Sequence, residues 1–74
     1  MLLTYGTLVT VLAMPAEAKF FKCKNEAKVI EFLEYGESYD LRYRYRLRFD
    51  NCELASWVVT TIFYGEEEIR GKTK

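Results

Sequence analysis

Between Tyr39 and Asp50 the chain reads YDLRYRYRLRFD, with arginine at positions 42, 44, 46 and 48 and a large apolar residue at 41, 43, 45, 47 and 49. A strand turns successive side chains to opposite faces, whereas a helix would scatter both sets around its circumference. The segment therefore reads as a β-strand with one buried face, lined by Leu41, Tyr43, Tyr45, Leu47 and Phe49, and one basic face. Everything else in the fold must supply partners for that strand.

Upstream, KVIEFLEY at 28–35 admits two readings. Val29, Ile30, Phe32 and Leu33 would share one face of a short helix around residues 25–35, stopped by Gly36. As a strand, the same residues put Ile30 and Phe32 with Tyr43 and Tyr45 and put Glu31 on the arginine face, so pattern and charge agree. Downstream, Asp50-Asn51-Cys52 breaks the alternation, and SWVVTTIFY at 56–64 is a β-branched run that disfavours helix. A turn near Asn51 is expected to bring Trp57, Val59, Thr61 and Phe63 onto the Tyr45 and Leu47 side. The expected fold is mainly β: a small antiparallel meander of three to four strands. Residues 69–74 read as a frayed polar tail.

The first 18 residues form a separate compositional block. An apolar stretch over Leu2–Met14 is followed by Pro15 and Ala16-Glu17-Ala18, and Glu17 is the block's one charged side chain. The stretch is shorter than the roughly 20 residues of a membrane span, and Ala-x-Ala suits a signal peptidase. The expectation is a secretory signal over residues 1–18, with Ala16 and Ala18 at the cleavage site, and a β-rich domain over residues 19–74. A stable membrane span is not expected. The layout departs from the usual one in having no lysine or arginine before the apolar run, which an upstream start would supply. The competing reading makes residues 4–13 the first strand of an intracellular α+β protein.

Cys23 and Cys52 are the two cysteines. They lack the close spacing and the additional ligands of a zinc site, so no metal is expected, and in an exported chain they are expected to pair as one disulfide. There is no histidine, which removes the commonest general base and metal ligand. Glu31 and Glu34 fall on opposite strand faces and make no carboxylate pair. Neither catalysis nor a cofactor is expected.

Lysine and arginine together number 11, as do aspartate and glutamate, so any charge-driven role must come from local patterning. The arginine row can be a solvated face neutralised by Glu31 and Glu66–Glu68, or a docking face for an acidic protein, which bidentate guanidinium groups suit. Nucleic acid fits less well, since alternation sends Tyr43 and Tyr45 away from the arginines that would hold the phosphates. The functional expectation is a small exported binding or inhibitory module in the periplasm or outside the cell. It would dock on a protein partner through Arg42, Arg44, Arg46, Arg48 and Glu31. The alternative is the intracellular protein, acting on nucleic acid or as a regulatory partner. An edge strand left open in so small a sheet is a site for pairing with a second copy.

Overall fold

The computed structural model describes residues 2–71. The chain folds as one antiparallel sheet with a single short helix. Strand β1 spans Leu8–Val11, helix α1 Ala16–Phe20, β2 Glu26–Tyr35, β3 Arg42–Phe49, β4 Val58–Val59 and β5 Tyr64–Gly65. A 3₁₀ turn over Glu66–Glu68 leads into β6, Ile69–Gly71. The spatial order is β4-β3-β2-β1-β6, and β5 pairs with β3.

The meander is as expected, but the strands exceed the three to four anticipated. Residues 26–35 are strand, so the helix considered around 25–35 is absent, and the helix lies instead at 16–20. Ile69–Gly71 is a strand against β1 with Ile69 buried, so the tail is not frayed there. The remainder of that expected tail, 72–74, lies outside the described residues.

The meander curls. The chain leaves the outer edge of β3 at Gly65 and enters the outer edge of β1 at Ile69. Four peptide steps reach at most about 14 Å, whereas four strand spacings of a flat sheet measure about 19 Å. The concave side holds the core: Val9, Val11, Ala18, Ala27, Val29, Tyr45, Leu47, Phe49, Val58, Tyr64 and Ile69. Apolar residues of β3 enter this core from Tyr45 onward, which is what its alternation requires.

Two irregularities reset the alternation. Val29 pairs with Leu47 but Glu31 pairs with Arg46, which leaves Ile30 as an extra residue in a β-bulge. Val29 and Phe32, rather than Ile30 and Phe32, therefore join the tyrosine side. Opposite the other edge of β3, four residues, Thr60 to Phe63, occupy the space facing Arg46 and Leu47. This loop interrupts the strand anticipated over 56–64 and reverses its parity. Val58, Thr60 and Tyr64 are buried, while Trp57 and Thr61 are exposed and Val59 and Phe63 are half-buried.

Thr60 is the buried polar residue that makes the interruption possible. Its Oγ1 accepts from the Leu47 N–H at 3.1 Å and donates to the Ile62 carbonyl at 3.0 Å, replacing ladder bonds that the loop removes. Thr60→Val keeps the shape and strands both backbone groups, so it is expected to cost about 1–3 kcal/mol. Urea unfolding of the two proteins measures this directly, and an unchanged midpoint would show that water replaces the hydroxyl.

Helix α1 closes one end of the sheet. Lys22 adopts a left-handed φ of 57°, and two bonds, Lys22 N–H to Lys19 O and Cys23 N–H to Ala18 O, end the helix as a Schellman turn. That turn delivers Cys23 beside Cys52, and the two are joined in a disulfide. Ala16, expected at a cleavage site, opens α1, and Ala18 is fully buried. Glu17 accepts from the N–H and hydroxyl of Thr61, at 3.0 and 3.2 Å, tying α1 to the loop between β4 and β5.

Candidate protein-docking face

The arginine row stands on the convex face of β3, and its partners follow from the register. On β2, Lys28 faces Arg48, Glu31 faces Arg46, Leu33 faces Arg44 and Tyr35 faces Arg42. Arg42, Arg44, Arg46, Arg48 and Glu31 thus share one surface, as the alternation requires. Along the strand, side chains on one face repeat about every 6.6–6.8 Å, which spreads the four guanidinium groups over roughly 20 Å.

Their environments differ. Arg42 lies 3.5 Å from Asp40, whose charge holds the guanidinium above its usual pKa. Arg46 lies 3.5 Å from Glu31, and Arg48 lies 3.0 Å from Asp50. Arg44 has no carboxylate within ion-pair distance among the described residues. Its guanidinium carbon instead sits 5.2 Å from the centre of the Tyr35 ring. The stack restricts the side chain and leaves the edge of the guanidinium fork for an incoming acceptor.

Aromatic side chains also reach this face, which the reading of the sequence missed. Phe63 lies under Arg46, 5.1 Å from ring centre to guanidinium carbon. Tyr35 could have been placed, since Glu31, Leu33 and Tyr35 alternate together beyond the bulge. Phe63 could not, because its parity depends on the inserted loop. Tyr43 stays on the opposite side, in edge-on contact with Phe32 at 6.2 Å.

Much of this surface belongs to a projecting hairpin. The chain reverses between β2 and β3 at Gly36, whose φ is 97° and whose Cβ, were one present, would meet the Asp40 carbonyl oxygen at 2.5 Å. The sheet's other strands do not accompany the arm to its tip, and Leu33, Tyr35, Tyr39 and Leu41 are exposed there. The molecule accordingly measures 42 Å along its longest axis and 17 Å along its shortest. Of these apolar side chains, Leu33 and Tyr35 flank Arg44 on the arginine face, Leu33 as its cross-strand partner and Tyr35 beneath its guanidinium.

At the foot of the row a hollow of about 80 Å³ is lined by Leu8, Glu26, Lys28, Arg48 and Asp50 among others. That is below the roughly 300 Å³ at which small-molecule sites begin. No group of three or more His, Cys, Asp or Glu among the described residues is placed to hold a metal ion, and no described helix is long and apolar enough to cross a membrane. Comparison with protein-family models, curated proteins and solved structures finds no match to the chain.

Proposed function

We propose that the protein is a non-catalytic binding or inhibitory module that docks on an acidic protein partner through the convex face of the β2–β3 arm. The observation that supports this most is Arg44, without a carboxylate partner among the described residues and stacked on Tyr35, with exposed Leu33 on one side of it and Gly65 on the other. A carboxylate of the partner would take the place that Asp40, Glu31 and Asp50 take at the neighbouring arginines. Arg46 and Glu31 would then fix the register of docking, and Arg42 and Arg48, each held by its own aspartate, would lie at the rim.

The disulfide fits a non-reducing compartment, and we place the protein in the periplasm or outside the cell. Nucleic acid is the less favoured ligand. The rings on this face already lie beneath Arg44 and Arg46, so they are not open platforms for bases, and three of the four arginines have carboxylate neighbours.

Immobilised wild-type protein, Arg44→Glu and Arg48→Ala, each exposed to the extracytoplasmic proteins of the source organism, test the proposal. A captured protein lost with Arg44→Glu and retained with Arg48→Ala is the expected result. The charge reversal should weaken its binding at least about 30-fold, since it leaves the partner's carboxylate facing another. Equal capture by all three would remove Arg44 from the site.

A further inference from the structure

Among the described residues the arm leaves one edge of β2 without a neighbouring strand, and the hydrogen-bonding pattern shows which of its groups point outward. Val29 turns its backbone toward β1, accepting from Gly6 N–H at 2.8 Å and donating to Thr7 O at 3.0 Å. Leu47, opposite it, turns its backbone toward Thr60. The bonded β2–β3 pairs are therefore those of Arg46, Arg44 and Arg42 with Glu31, Leu33 and Tyr35. Phe32 and Glu34 lie between them and direct their N–H and C=O groups outward. β1 pairs no further along β2 than Lys28, so among the described residues no strand lies beside the β2 edge beyond the bulge.

We propose that a second copy of this chain docks on that edge, antiparallel, about a twofold axis through Leu33. In this register Phe32 of each copy exchanges both backbone bonds with Glu34 of the other, so all the outward groups of both residues are used. Leu33 meets its own counterpart in a close, non-bonded pair on the convex face, and Glu31 meets Tyr35 of the other copy. No like charges stand directly opposite one another, and the pairing covers three side chains, Phe32, Leu33 and Tyr35, that are between 38% and 50% exposed in the single chain. A flat apolar edge would accept many strands; this one is complementary to itself.

The two β3 strands would then be three strand spacings apart, about 14 Å, which exceeds the screening length of about 8 Å at physiological ionic strength. The two rows of four arginines can coexist on one continuous face without prohibitive repulsion. The dimer would present two Arg44 sites on the same face, which suits a partner that is itself twofold or carries two acidic segments.

Sedimentation equilibrium of the purified protein from about 10 μM to 1 mM tests the pairing, a range set by the small area such an edge covers. The expected result is a concentration-dependent rise from 8.8 kDa toward twice that mass. Leu33→Lys puts two ammonium groups face to face on the axis and should weaken association at least tenfold. Glu34→Pro removes an outward N–H while leaving the β2–β3 ladder intact, and should do the same. Circular dichroism of each variant establishes that it is folded, and Leu33→Lys decides the matter if the proline variant is not. A wild-type mass of 8.8 kDa throughout, or association unchanged in the folded Leu33→Lys variant, would overturn the pairing. Because the purified chain alone is measured, the outcome is independent of whether Arg44 binds a partner.

Discussion

Reduction of the Cys23–Cys52 disulfide is expected to unfold the protein or bring it to the margin of stability at 37 °C. The bond joins positions 29 apart in sequence, and closing a loop of that length removes chain entropy from the unfolded state equivalent to roughly 3.5 kcal/mol. A core with eleven buried apolar residues among those described, in a domain this small, supplies a net stability of only about 3–5 kcal/mol, so the two quantities are of the same size. The position of the bond adds to the effect. It pins the end of α1 to the loop after β3, where the supporting contacts are three backbone bonds: Lys24 to Asn51, Glu53 to Lys22 and Leu54 to Phe21. Thermal unfolding with and without reductant, and of the Cys23→Ser, Cys52→Ser double variant, is the measurement. A loss of stability near 3 kcal/mol or complete unfolding is the expected outcome, and a change below about 1 kcal/mol would show that the bond is dispensable.

The second large effect concerns the first 18 residues. A chain beginning at Lys19 is expected not to fold into this sheet. β1 lies between β2 and β6 and pairs with both, and Val9, Val11 and Ala18 are each at most 2% exposed. The two valines alone account for roughly 3–6 kcal/mol of apolar burial, as much as the whole net stability. β6 would lose its partner strand as well. Cleavage after Ala18 and the sheet described above therefore exclude each other, which gives the truncated chain a diagnostic value. The expected result is no cooperative transition and no fixed near-ultraviolet dichroism from Tyr45, Tyr64 and the other aromatics. Cooperative unfolding of the chain from Lys19 to Lys74 would make β1 dispensable and would support a signal peptide over residues 1–18.

The first 18 residues admit both readings from one-dimensional pattern. A signal core and a buried strand are both short runs of Leu, Val and Thr, and no residue in TLVTVLA distinguishes insertion into a membrane from burial in a sheet. β3 was legible because its two sets of residues differ so sharply that one period fits. Val29 and Ile30 are interchangeable in hydrophobicity, so the bulge between them left no mark. The run from Val58 to Phe63 is β-branched or aromatic at every position and would satisfy either parity; the hydroxyl of Thr60, which decides it, is only informative once Leu47 is known to be opposite. The arginine row shares a face because β3 is regular throughout, and Glu31 stands opposite Arg46 because it lies just beyond the bulge in β2. Tyr35 was within reach of the same logic, and Phe63 was not.

Photo-cross-linking in the native host, with a photoreactive residue at position 63, tests the docking face most directly. Phe63 lies on the convex side next to Arg46, across β3 from the edge that a second copy would cover. The expected result is a cross-link to an extracytoplasmic protein that is lost when Arg44→Glu is introduced and kept with Arg48→Ala. Cross-links to nucleic acid, or protein cross-links indifferent to Arg44→Glu, would contradict it.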